Sequence, residues 1–151
     1  LITGKYTPRP SVHTLSNAMD VGDPSNFSRM TDLFNSDPAL MKEMISGFAV
    51  DDTATAETMR LLKEKYNYQA DPHGAVAYLA MEEYLKRNQN VNGIFLETAH
   101  PAKFLEVVEE VTGEKIGLPP ELLKLQNKTG FSLPMSKNFS DFKEFLMQRN
   151  R

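Results

Sequence analysis

Only one stretch of this 151-residue chain, Val91 to Glu97, reads as a clear β-strand, and a single strand cannot make a sheet. Ile94, Phe95 and Leu96 form a continuous apolar run inside it, the pattern of a strand covered on both faces. Val12 to Val21 is a weaker strand or extended segment, and no hairpin signal joins the two. The periodicity elsewhere is helical. A strand that expects cover on both sides and leads into a helix belongs to an α/β architecture, so the strands completing its sheet must come from elsewhere. The chain therefore reads as part of a larger, helix-rich α/β protein.

About seven helices follow from the 3.6-residue period. Asp23 or Ser25 would cap the first, which carries Phe27, Met30 and Phe34. Asp37-Pro38 opens a second, with Met41, Met44, Ile45 and Phe48 as its stripe, and Asp51-Asp52-Thr53 opens a third that runs to about Tyr66. Asp71-Pro72 repeats the cap-plus-proline signal and starts a fourth helix ending near Arg87. From Gly74 to Met81 that helix carries no charge, the pattern of a segment buried all round, for which something outside this chain would have to supply cover. After Pro101, Phe104, Val107, Val108 and Val111 face inward while Glu106, Glu109 and Glu110 face out, and Gly113 ends the helix. A short helix with Leu122, Leu123 and Leu125 follows, then a last one capped by Ser140 with Phe142, Phe145 and Leu146 inward.

Composition narrows the chemistry. The chain has no cysteine, which excludes disulfides, cysteine-ligated metals and thiol nucleophiles. A net charge of −3 argues against a surface that neutralises nucleic-acid phosphates. The longest apolar stretch, Ala75 to Met81, falls far short of the roughly 20 residues of a membrane span. No secretory leader is visible, and a chain opening on Leu1 is expected to be a fragment or a processed piece.

The sharpest local feature is the turn from strand to helix at residues 97 to 101, because ligands of open α/β sheets gather beyond the carboxyl ends of strands. Thr98 there is either a hydroxyl aimed at a ligand or a helix-cap and turn residue, and His100 either serves the ligand or is a satisfied loop histidine. His73, in the first turn of the fourth helix, is a neutral capping histidine or a ligand partner. Asp20 with Asp23, and Asp51 with Asp52, are cation or acid–base pairs on one reading and helix caps on the other. Lys103 has the spacing of a solvated lysine rather than a Schiff-base one, and His100 with Asp20 or Asp23 makes a weak case for a hydrolase.

Three blocks resemble the threonine synthase family. They are Thr14-Leu15-Ser16-Asn17-Ala18-Met19-Asp20-Val21 with Pro24-Ser25-Asn26-Phe27 and Arg29, then Asp71-Pro72-His73-Gly74-Ala75-Val76, then Glu97-Thr98-Ala99-His100-Pro101-Ala102-Lys103-Phe104. Val50-Asp51-Asp52-Thr53 fits between them. The resemblance implies a tryptophan-synthase-β-like fold, with residues 1–151 as one C-terminal fragment: part of the catalytic, cofactor-binding domain plus a C-terminal helical extension. It implies pyridoxal 5'-phosphate as cofactor, O-phospho-L-homoserine as substrate, the upstream remainder of the same enzyme as partner, and a cytoplasmic setting. It maps the hydroxyl that bonds the cofactor's pyridine nitrogen onto Thr98, and puts the Schiff-base lysine and the phosphate loop upstream, so that the fragment alone is expected to be inactive. Gly74 and Asn17 depart from the family, which often has Thr or Ala at the first position and Pro at the second. The alternative is a self-contained helical interaction module docking through Gly74–Met81.

Overall fold

The computed structural model describes residues 3–17 and 20–149, so positions 18 and 19 of the first block lie outside the described residues. It divides into two compact units, Leu1–Gly117 and Leu118–Arg151. The first unit holds α1 (Phe27–Leu33), α2 (Pro38–Met44), α3 (Asp52–Tyr66), α4 (Pro72–Arg87), a 3-10 turn (Pro101–Phe104) and α5 (Leu105–Thr112). The second holds α6 (Pro120–Leu123) and α7 (Phe139–Arg149).

The acidic residues before the helices act as caps. Asp37 accepts the Ala39 and Leu40 N–H groups, Asp51 that of Ala54, and Asp71 those of His73 and Gly74. Each satisfies amides that the first helical turn leaves without intrahelical partners. The expected cap of the first helix is different: Asn26 stands at that position, with no side-chain bond, and neither Asp23 nor Ser25 fills it. α2 stops at Met44, because Ile45 turns to extended backbone, so the expected continuation to Phe48 is absent. α5 closes at Gly113, whose φ of 72° is the left-handed geometry that glycine adopts without strain.

The core of the first unit forms where α3 packs against α4 and α5. Met59, Ala75, Phe104 and Val108 are buried together, with Ala99, Val107, Val111 and Ile116 against them. Arg60 Nε donates to the Val111 carbonyl at 3.0 Å, and Lys63 pairs with Glu114 at 2.8 Å, both joining α3 to the end of α5. The burial expected all round Gly74–Met81 is confined to Gly74 and Ala75; Val76 to Met81 are half-covered. In the second unit Phe142 and Leu146 are exposed rather than inward, and α7 begins at Phe139, ahead of the expected Ser140 cap.

No β-strand occurs among the described residues. Val91–Glu97 is extended but unpaired, and the described residues of Val12–Val21 form no ladder either, because a strand needs a neighbour to take its backbone groups. Side chains alternate along the extended segment: Phe95, Glu97 and Ala99 are partly buried, while Ile94, Leu96 and Thr98 are exposed. Ile94 is 86% exposed and Leu96 72%. One face thus lies on α4 and the other has no cover, where the apolar run predicts cover on both. Gly93 permits the close approach to α4, since a Cβ there would stand 2.6 Å from Met81 Sδ.

Candidate functional site

The N-terminus of α4 and the end of the extended segment meet at Asp71, which is wholly buried. Its Oδ1 accepts the His73 N–H at 2.6 Å and the Gly74 N–H at 3.2 Å, and lies 3.2 Å from His73 Nδ1. Capping therefore falls to Asp71, and His73 is the residue capped. The Asp71 N–H in turn donates to Glu97 Oε1 at 3.0 Å. Gly74 makes room for that carboxyl, because a Cβ at position 74 would stand 1.7 Å from Glu97 Oε2.

Three polar atoms here are buried without hydrogen-bond partners: Asp71 Oδ2, His73 Nε2 and Glu97 Oε2. Burial, reinforced by the neighbouring Asp71 charge and opposed by the Asp71 N–H bond, raises the Glu97 carboxyl above the usual glutamate range. Tyr68 is raised as well, first by burial and then by the charges of Glu97 and Asp71. The His73 ring lies 5.1 Å from the Phe104 ring, which links the cluster to the core.

The first sequence block is tied to the start of α3. Thr14 donates to Asp20 from its hydroxyl at 2.5 Å and from its N–H at 3.0 Å, and the Leu15 N–H donates to Asp52 at 3.1 Å. The Thr14 hydroxyl bond lowers the Asp20 carboxyl most, with His13 and His73 pulling in the same direction. Asp23 accepts the Tyr6 hydroxyl at 2.9 Å. Positions 14, 15 and 20 are therefore tied to one another and to Asp52, across more than thirty residues of chain.

His100 caps the 3-10 turn, its Nδ1 accepting the Ala102 N–H at 3.1 Å, so that nitrogen carries no proton. With this cap filled, Thr98 has no capping duty, and it lies on the same uncovered side as Ile94 and Leu96. Lys103 is exposed, its ammonium 5.7 Å from the Phe104 ring centre. Among the described residues no group of three acidic or histidine side chains could hold a metal ion, and no helix is long and apolar enough to cross a membrane. Sequence reasoning missed Glu97 as an individual residue. Its only signal was a carboxylate ending an apolar run, which does not reveal that Gly74 leaves a seat for it.

The family model described as threonine synthase, C-terminal, matches residues 74–145. The chain is 42% identical over 145 residues to threonine synthase of Escherichia coli strain K12, covering 95% of this chain and 33% of that protein. Its likeness to the Serratia marcescens enzyme is 40%, over 97% of this chain and 33% of the other. The chain belongs to the threonine synthase family, as its C-terminal region. The crystal structure of threonine synthase from Escherichia coli superposes with a TM-score of 0.72 at 39% identity, covering 97% of this chain and 33% of that one. A structure of PLP-bound threonine synthase from Brucella melitensis matches in fold, with a TM-score of 0.62 at 24% identity over 99% of this chain and 37% of that one. The chain spans about one third of the length of the threonine synthases it matches (33% of the first).

Proposed function

We propose that residues 1–151 are the C-terminal fragment of a cytoplasmic threonine synthase, comprising part of its cofactor-binding domain and a helical extension. The whole enzyme converts O-phospho-L-homoserine and water into L-threonine and phosphate with pyridoxal 5'-phosphate. Support comes from the family match, from the PLP-bound neighbour, and from one feature of this chain. That feature is Thr98, an exposed hydroxyl at the carboxyl end of an extended segment, on the side that the rest of the enzyme would cover.

When bound, the cofactor supplies the electron sink for the reaction. Thr98 would hold the cofactor's ring nitrogen by a hydrogen bond from its hydroxyl, which is far too weak an acid to protonate that nitrogen. A carboxylic acid in the same position would protonate the ring and strengthen the sink. His100 holds the turn after Thr98 through the Ala102 N–H, and Asp71 with Glu97 holds the chain before it. No lysine in this fragment matches the family's Schiff-base position, so the fragment by itself is inactive and the lysine comes from the upstream part.

The test is Thr98→Ala in the full-length enzyme. Loss of one partly buried hydrogen bond worth about 0.5–1.5 kcal/mol weakens cofactor binding about 2- to 12-fold, with the fold intact by circular dichroism. Unchanged cofactor affinity and turnover would remove Thr98 from the site.

A further inference from the structure

We infer that Glu97 is the positioning residue for Thr98, and that it does so as a neutral carboxyl sharing its proton with Asp71. The inference rests on the Thr98 reading above and deepens it. Each carboxyl has one oxygen committed to backbone: Asp71 Oδ1 to the His73 and Gly74 N–H groups, and Glu97 Oε1 to the Asp71 N–H. The remaining oxygens, Asp71 Oδ2 and Glu97 Oε2, are both buried without a partner. Two ionised carboxylates so placed would repel each other and leave both oxygens unsatisfied, whereas one proton between them satisfies both. The raised Glu97 agrees, and a side-chain hydrogen bond with Asp71 is among its causes.

The groups facing the pair are Tyr68, just before α4, and His73 on its first turn, with Asp20 beyond His73. Tyr68 makes no hydrogen bond to Glu97 Oε2, and His73 Nδ1 lies against the Asp71 oxygen already used for capping. Neither supplies the proton that Oδ2 and Oε2 lack. The pair fastens position 97 to the N-terminus of α4, so the next residue, Thr98, inherits its place from a helix cap 26 positions earlier than Glu97. Gly74 is the seat: any side chain there displaces the Glu97 carboxyl.

The experiment uses the full-length enzyme and measures pyridoxal phosphate affinity and the visible absorption of the bound cofactor across pH. The variants are Glu97→Gln, Glu97→Ala, Gly74→Ala and Thr98→Ala, with thermal melts as a control for folding. The amide introduced by Glu97→Gln reproduces the neutral carboxyl, with a carbonyl for the Asp71 N–H and an N–H donor for Oδ2, so affinity stays within about twofold of wild type. Wild-type affinity falls as pH rises through the raised Glu97 titration, and Glu97→Gln abolishes that dependence. Glu97→Ala and Gly74→Ala weaken cofactor binding by about tenfold and change the spectrum as Thr98→Ala does. If Glu97→Ala and Gly74→Ala keep wild-type affinity and spectrum while Thr98→Ala loses both, the positioning role is refuted and the Thr98 reading stands. If Thr98→Ala changes nothing, both are refuted. If Glu97→Gln behaves like Glu97→Ala, the shared proton is refuted.

Discussion

The Leu15 N–H donates to the Asp52 carboxylate at 3.1 Å across 37 positions of sequence, pinning the N-terminal segment to the first turn of α3. The bond is exposed, so its weight is local. Asp52→Ala is expected to speed hydrogen exchange at the Thr14 and Leu15 amides while changing global stability by less than about 1 kcal/mol. A large loss of stability would mean that the segment carries part of the core.

Asp51, one residue earlier, caps α3 through the Ala54 N–H at 2.8 Å. Asp51→Ala should lower stability by about 1 kcal/mol in urea unfolding, and Asp51→Asn should restore most of it. Equal loss in both variants would point to charge rather than capping.

Met59 is 1% exposed and sits between Ala75, Phe104 and Val108. Met59→Ala opens a cavity where α3, α4 and α5 meet and should cost about 2–5 kcal/mol. A cost below that range, measured by denaturant titration, would show that the core closes over the gap.

Asp20 and Glu97 give opposite pH trends. Asp20 is lowered by the Thr14 hydroxyl, so its contribution is present above the ordinary aspartate range and is lost as pH falls through the depressed value. Glu97 is raised by burial, so its contribution is present below the ordinary glutamate range and is lost as pH rises through the elevated value. Thr14→Val should flatten the acid limb of a melting-temperature profile, and Glu97→Gln the limb above it. A profile unchanged in both variants would contradict these assignments.

Lys103 is solvent-exposed beside Phe104. Pyridoxal phosphate added to residues 1–151 should give no saturable visible absorption band. A saturable band that disappears in Lys103→Ala would move the cofactor lysine into this fragment and overturn its assignment upstream.

The amino-acid sequence by itself determined the helices and most of their boundaries. Asp37, Asp51 and Asp71 cap as their positions before Pro or a polar first turn require, and Gly113 closes α5, because caps depend on backbone groups two to four residues away. It also determined family membership, through residue blocks that need no geometry to be compared. Ile94-Phe95-Leu96 was legible as a strand-forming run, but pairing depends on a partner chain that no local pattern supplies, so the segment is extended and its outer face bare. Tertiary structure alone decided that Glu97, Asp71 and Gly74 share one small buried space. The physical reason is range: a cap is set within a few residues of chain, whereas a buried carboxyl pair is set by how α4 lies against a segment more than a helix length away in sequence.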